Sequence, residues 1–205
     1  MKHNTVMMRW IYWLGWMSFG AAYRTLFGLR IEGKEHLITD GPVLVAANHQ
    51  SFLDPPLIGN LYNDEMYFLA RKTLFVGLGK WLYRQWNAIP VDQERPDMAS
   101  LKTMVKLLHR GEKVLVFPEG ERSETGALGK GQPGVGLIVA KANVKVQPVR
   151  IRGAMDALPR GSGRIRFARI VVSIGPAIDF SGQDYQGKEG YQKIAERIMA
   201  EIEAL

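Results

Sequence analysis

Pro42-Val43-Leu44-Val45-Ala46-Ala47-Asn48-His49-Gln50-Ser51-Phe52-Leu53-Asp54-Pro55-Pro56 passes from apolar to polar and then to a helix-starting signal. The unbroken apolar run Val43 to Ala47, set off by Gly41-Pro42, has the length and composition of a short strand covered on both faces. Asp54-Pro55-Pro56-Leu57-Ile58 reads as a helix start. An imidazole just past a buried strand, with a carboxylate at the next helix start, is where α/β folds place chemistry. Each residue also has an ordinary reading. Asp54 ahead of Pro55 has the pattern of an N-cap followed by proline in the first helical position, and His49 could be a hydrogen-bonded core histidine. Singly, the ordinary readings suffice, so the rest of the chain has to decide.

Working outward, Leu29-Arg30-Ile31-Glu32-Gly33 alternates as an edge strand would, and Met66-Tyr67-Phe68-Leu69-Ala70 is a strand ending in Arg71 and Lys72. Leu74, Phe75, Leu78, Trp81, Leu82 and Trp86 stand near helical spacing, followed by the extended Ala88-Ile89-Pro90-Val91-Asp92. Pro96-Asp97 opens a helix with Met98, Leu101, Met104, Val105 and Leu108 on one face, closed by Arg110-Gly111. Lys113-Val114-Leu115-Val116-Phe117 repeats the opening pattern, a buried strand that stops at polar residues. Residues 144–152 and 165–174 read as further strands, and Tyr191, Ile194, Ile198, Ile202 and Leu205 mark a packing helix. Strands alternating with helices predict an α/β domain, a central largely parallel sheet flanked by helices. It spans residues 29–205, with residues 1–28 as an amino-terminal helical segment.

From Met1 to Arg30 the chain carries Lys2, Arg9, Arg24 and Arg30 and no acid, four of the net +7 charges of the 205-residue chain. Between Arg9 and Arg24 lie fourteen uncharged residues rich in Trp and Tyr. As a helix they would span about 21 Å, short of a hydrocarbon core of about 30 Å. Tryptophan and tyrosine favour the headgroup boundary and cationic ends favour anionic lipid, so a helix lying in one leaflet fits best. Arg9, Trp10, Trp13, Trp16, Phe19 and Arg24 are its expected membrane contacts. Gly20-Ala21-Ala22 faintly resembles a signal-peptide cleavage site, but three tryptophans within seven residues argue against one. A core helix is the other ordinary reading.

The absence of cysteine excludes disulfides, a thiolate nucleophile and Cys-bound zinc. Three polar clusters remain: His49 with Asp54, Arg71 with Lys72, and Glu119 to Ser123. Imidazole beside carboxylate suits general-base work on a hydroxyl. Cations from other loops suit a phosphate. Competing motifs fall short. Gly126-Ala127-Leu128-Gly129-Lys130-Gly131 lacks the Gly-Lys-Ser/Thr ending of a phosphate loop, and no Gly-x-Ser-x-Gly elbow occurs. Glu119, Glu121 and Glu124 lack neighbouring histidines for a metal; His3, His36 and His109 are scattered. The basic residues are spread through loops, so nucleic acid is not an expected partner.

With these blocks in place, the chain resembles the glycerophospholipid acyltransferases of the 1-acyl-glycerol-3-phosphate acyltransferase type. Asn48 to Asp54 matches the family's N-H-x-x-x-x-D block, and Phe117-Pro118-Glu119-Gly120-Glu121-Arg122-Ser123 its F-P-E-G-T-R-S block. Arg71-Lys72 with Ala88 to Asp92 resembles the second block, and Val146-Gln147-Pro148-Val149 the V-P-V block. Glu121 stands where Thr is usual, and Thr73 where many members have Glu. The resemblance implies that His49, oriented by Asp54, deprotonates a glycerol hydroxyl as it attacks an acyl thioester. Arg122, Lys72 and Arg71 would hold the phosphate, Glu119, Gly120 and Ser123 would shape the substrate site, and Asn48 would orient the loop or serve the oxyanion.

Its expected partners are an anionic membrane surface, lysophosphatidic acid and acyl-CoA or acyl carrier protein, the thioester being a cosubstrate with no further cofactor or metal. The expected location is the cytoplasmic face of the inner membrane, as a monotopic or peripheral protein. Another lyso-lipid, such as a lyso-phospholipid or lyso-ornithine lipid, is an alternative acceptor. A non-catalytic lipid-binding membrane protein is the alternative class.

Overall fold

The computed structural model describes residues 6–92, 98–182 and 185–205. Its strands are β1 (Arg30–Glu32), β2 (Val43–Ala47), β3 (Met66–Arg71), β4 (Ala88–Val91), β5 (Lys113–Val116), β6 (Val146–Arg152) and β7 (Val171–Ile174). The helices are α1 (Val6–Leu26), α2 (Asp54–Gly59), α3 (Gly77–Gln85), α4 (Met98–Leu108), α5 (Pro133–Ala142), α6 (Ala154–Ala157) and α7 (Gly187–Glu203). Short 3-10 turns occupy Lys34–His36 and Lys72–Leu74.

The strands form one seven-stranded sheet in the order β1-β7-β6-β2-β5-β3-β4. Every pairing is parallel except β6 with β7, so the largely parallel α/β sheet expected above is the fold. β2 lies at the centre with all five residues fully buried. Successive side chains of a strand point to opposite faces. Leu44 and Ala46 accordingly join the core under α4, α5 and α7, whereas Val43, Val45 and Ala47 join the core under α1 and α2. Both faces being covered is why β2 reads as a continuous apolar run rather than an alternating one. On the first face Ile194, Ile198 and Ile202 of α7 are completely buried, each stabilising by roughly 1.5–3 kcal/mol.

Two expectations change. Residues 165–174 were expected to be strand throughout, yet β7 begins only at Val171. Its partner β6 ends at Arg152, paired with Val171, and Gly153 then turns away at φ 81° into α6. Beyond that point residues 164–170 have no β6 partner and make only separate backbone bonds, Arg166 to Ala157 and Ile170 to Phe27 and Arg30, and Ile165 and Phe167 stand 62% and 85% exposed. The apolar spacing from Leu74 to Trp86 predicts one helix, but the chain makes a 3-10 turn first and α3 starts at Gly77, whose φ is 51°. The Pro96-Asp97 helix opening lies outside the described residues.

The amino-terminal helix is 21 residues long, and no described helix is long and apolar enough to cross a membrane. One of its faces packs on the body: Tyr12 and Tyr23 are buried, as is Phe27 just past its end, and the Tyr23 hydroxyl donates to the Leu53 carbonyl at 2.7 Å. Burial raises the Tyr23 phenol well above its ordinary pKa, and the nearby Asp54 charge adds to the rise. The opposite face presents Trp10, Leu14 and Met17 outward.

Candidate active site

β2 delivers Asn48 and His49 at its carboxyl end. Asn48 is almost wholly buried, and its side chain continues the β2–β6 ladder: Nδ2 donates to the Ile151 carbonyl at 2.9 Å, and Oδ1 accepts the Ile151 N–H at 2.7 Å. Of the two roles left open for Asn48, this geometry supports orienting the loop.

Asp54 is fully buried, and its Oδ2 accepts three hydrogen bonds: from the Gln50 N–H at 2.6 Å, the Ser51 N–H at 2.7 Å and His49 Nδ1 at 2.7 Å. The helix-cap reading does not hold. Asp54 is the first residue of α2, and Leu53 takes the cap position without a side-chain hydrogen bond. The carboxylate instead gathers the turn behind it. An oxygen already accepting two backbone N–H groups takes the third contact as an acceptor too. Nδ1 therefore carries a proton, and in the neutral imidazole Nε2 presents its lone pair.

The Phe117 to Ser123 block holds His49 by one ring face and by its backbone. Phe117 stacks on the imidazole, centroids 3.8 Å apart and planes 10° from parallel. Glu119 Oε1 accepts the His49 N–H at 2.9 Å, and the Ser123 N–H donates to the His49 carbonyl at 2.8 Å. The other Glu119 oxygen accepts the Gly129 N–H at 2.7 Å, and Ser123 Oγ donates to the Ala127 carbonyl while accepting the Gly126 N–H. Glu119 and Ser123, expected at the substrate, are thus built into the scaffold that holds His49 and the 126–131 loop. Gly120 sits at φ 79°, which permits the tight turn between them.

His49 opens into a cleft of about 390 Å³. At its polar end stand Arg71, Glu121, Arg122 and Arg160. The Arg122 guanidinium lies 3.8 Å over the Phe52 ring. Its pKa is lowered by burial and then by the charges of Arg160 and Arg71. Three guanidinium groups that repel one another around one hollow make a place for an anion. Lys72 does not line the cleft. It begins the turn after β3 and pairs with Asp92 at 3.6 Å, so Arg71 is the member of that pair at the site. Arg160 is the residue that sequence reasoning missed. It lies in a loop without periodicity and reaches the site by tertiary bonds, donating to the Arg122 carbonyl at 3.2 Å and to Glu124 at 3.1 Å.

The rest of the cleft is apolar, walled by α1, α2, β3 and α3. Trp16 and Phe19 line it rather than facing outward: Trp16 Nε1 donates to the Gly59 and Tyr62 carbonyls, and Phe19 meets Trp86 edge to face. Of the expected membrane contacts, Trp10 and Arg24 are exposed, Trp13 is half-buried, and the Arg9 side chain lies outside the described residues. The spacing 12, 16, 19 and 23 is one helical face, a signal present in the sequence. No group of three or more potential metal ligands occurs among the described residues.

The acyltransferase family model matches residues 28–152, more than half of the chain. The chloroplastic 1-acyl-sn-glycerol-3-phosphate acyltransferase of Arabidopsis thaliana is 33% identical over 175 residues, covering 83% of this chain and 49% of that protein. Proteins of the same name from Streptococcus pneumoniae and Pseudomonas aeruginosa are each 28% identical, covering 81% and 95% of this chain and 61% and 73% of their own lengths. The chain thus spans about half the length of the Arabidopsis relative. The crystal structure of the 1-acyl-sn-glycerophosphate acyltransferase PlsC from Thermotoga maritima shares the fold, with a TM-score of 0.71 at 24% identity over 97% of this chain and 81% of that one. This chain belongs to the acyltransferase family, and the curated relatives it matches are 1-acyl-sn-glycerol-3-phosphate acyltransferases.

Proposed function

We propose that this chain transfers a fatty acyl group from an acyl thioester to the free hydroxyl of 1-acyl-glycerol-3-phosphate at a membrane surface, giving phosphatidic acid. The observation that carries the reading is the Nδ1 contact of His49 with Asp54 at 2.7 Å, in a cleft whose polar end holds three arginines and whose remainder is apolar. The phosphate of the acceptor would meet Arg71, Arg122 and Arg160, and its acyl chain would lie along the apolar cleft. Bidentate guanidinium contacts suit a phosphate.

In this mechanism His49 Nε2 removes the hydroxyl proton as the oxygen attacks the thioester carbonyl. Asp54 stabilises the imidazolium that forms. When the C–S bond breaks, the imidazolium returns its proton to the departing thiolate, and the ester and free thiol leave. No acyl-enzyme is required, in keeping with a chain that has no cysteine. Holding the phosphate and chain fixes the hydroxyl beside Nε2, and such positioning removes several kcal/mol of barrier. The amino-terminal helix, with Trp10, Leu14 and Met17 outward, would hold the cleft on an anionic bilayer at the cytoplasmic face of the inner membrane.

Glu121 beside the three arginines supports a second reading, an acceptor whose head group also carries an amine, such as a lyso-ornithine lipid. One experiment tests both: thiol release from acyl-CoA and from acyl carrier protein, each with a panel of lyso-lipid acceptors. Preference for lysophosphatidic acid is expected. Acylation of an amine-bearing lyso-lipid alone would favour the second reading, and no transfer to any acceptor would refute both.

A further inference from the structure

Large apolar side chains left exposed on this molecule are not scattered. Apart from Met98, those among the described residues fall on α1, the His49 loop, the segment from Val76 through α3, and the loop 160–169. The first three border the cleft, and the last starts at Arg160 on its rim.

The loop 160–169 reads Arg-Gly-Ser-Gly-Arg-Ile-Arg-Phe-Ala-Arg, four arginines and no acid. Arg160 pairs with Glu124, whereas Arg164, Arg166 and Arg169 are exposed and make no ion pair among the described residues. Between them Ile165 and Phe167 stand 62% and 85% exposed, with no strand to cover them. An isoleucine and a phenylalanine interleaved with unpaired arginines have the composition of a segment that dips its apolar groups below anionic headgroups. The loop is also tied to both ends of the machinery. Arg160 donates to the Arg122 carbonyl at the mouth of the cleft. At the far end the Ile170 N–H donates to Phe27 just past α1, and the Arg30 N–H donates to Ile170.

We propose that the loop 160–169 is a second membrane-docking element, separate from α1, which seats the cleft mouth on an anionic phospholipid surface through Ile165, Phe167 and the three unpaired arginines. The inference rests on the membrane-surface reading above. Two attachments at the cleft, one helical and one looped, set its orientation as well as its attachment, so that a lipid can pass from the bilayer to the arginines without crossing water.

The test uses the full chain and vesicles of phosphatidylcholine, with and without phosphatidylglycerol. Because the protein has no cysteine, Phe167→Cys can be labelled at one site with an environment-sensitive dye. On anionic vesicles its emission should shift to the blue, while the same dye at Glu201→Cys on α7, on the other side of the sheet, should not shift. In unlabelled protein, Arg164→Gln, Arg166→Gln and Arg169→Gln together should weaken anionic-vesicle binding about 100-fold, about fivefold for each charge, and change binding to neutral vesicles little. Ile165→Ser with Phe167→Ser should weaken binding to both by at least about tenfold. These side chains are exposed, so thermal unfolding of each variant should match the parent. Unchanged vesicle binding in both variants would overturn the proposal. So would a charge variant that binds vesicles normally but needs more acyl carrier protein to reach half-maximal rate, since the surface would then be a protein dock. If the parent acylates no lyso-lipid and the Phe167 dye still shifts, the docking holds and the acyl-transfer reading falls.

Discussion

Replacing Asp54 by asparagine isolates the electrostatic part of the proposed mechanism. One carboxylate oxygen accepts the Gln50 and Ser51 N–H groups and His49 Nδ1. In Asp54→Asn the amide oxygen should take that place, because two buried N–H groups need an acceptor and an amide nitrogen is not one. The turn and the tautomer are then kept and the negative charge is lost, with the amide NH2 placed where the buried Oδ1 has no partner, which lowers stability somewhat. With Nδ1 2.7 Å from the carboxylate oxygen, the charge centres of an imidazolium–carboxylate pair lie about 4 Å apart, where attraction is about 4 kcal/mol at an effective dielectric constant of about 20. That stabilisation exists only once His49 has taken the proton. Its loss therefore falls on kcat, by about 1000-fold, with little change in KM for the acceptor. Release of CoA thiol from an acyl-CoA donor, read with a thiol reagent that finds no cysteine in the enzyme, measures the rate, and thermal unfolding checks the fold. A variant that still unfolds cooperatively and keeps kcat to within about tenfold would refute the assignment of Asp54 as the partner of a protonated His49.

Arg122→Ala should raise KM for lysophosphatidic acid about 10- to 100-fold through loss of a charge-assisted phosphate contact, whereas Lys72→Ala, outside the cleft, should change it less than about threefold; steady-state kinetics with acceptor varied distinguishes them. Glu119→Ala removes the shared acceptor of the His49 and Gly129 N–H groups, both part-buried, and should lower the denaturant midpoint by the equivalent of about 1–3 kcal/mol in all. Glu119→Gln keeps an acceptor oxygen and should fall between the variant and the parent. Burial pushes the Tyr12 phenol up from its ordinary 10.0 to about 12. Between those values an unfolded chain has lost the proton that the folded one keeps. The contribution of Tyr12 to stability is thus complete below about pH 10 and is lost as pH rises through about 12. Tyr12→Phe should flatten the fall of melting temperature over that interval, and an unchanged fall would show that Tyr12 does not titrate with unfolding.

Both motifs were readable because each follows a buried parallel strand, and such strands announce themselves as apolar runs that end abruptly. Their roles were less readable. Glu119 and Ser123 carry the chemistry of substrate contacts, yet they bind the backbone of His49, a residue some seventy positions away in the chain. Arg71 and Lys72 are adjacent and alike in charge, and only the turn after β3 puts one in the cleft and the other against Asp92. By composition the amino-terminal helix has Trp16 and Phe19 among its membrane contacts, because composition has no direction. Its 12, 16, 19, 23 spacing held the missing information, but that it covers the cleft depends on Tyr23 meeting Leu53 and Trp16 meeting Gly59.

Local order in the chain determined β1 to β6, the helices α1, α2, α4 and α7, and the pairing of an imidazole with a carboxylate five residues on, because hydrophobic period, turn residues and short spacing act within a few residues. Tertiary structure decided which cations share a hollow, that Arg160 belongs among them, and that α1 is a wall of the cleft as well as a surface helix. Those outcomes arise from burial and hydrogen bonds between segments far apart in the chain, whose mutual placement is set by the order of strands in the sheet and by nothing local to either segment.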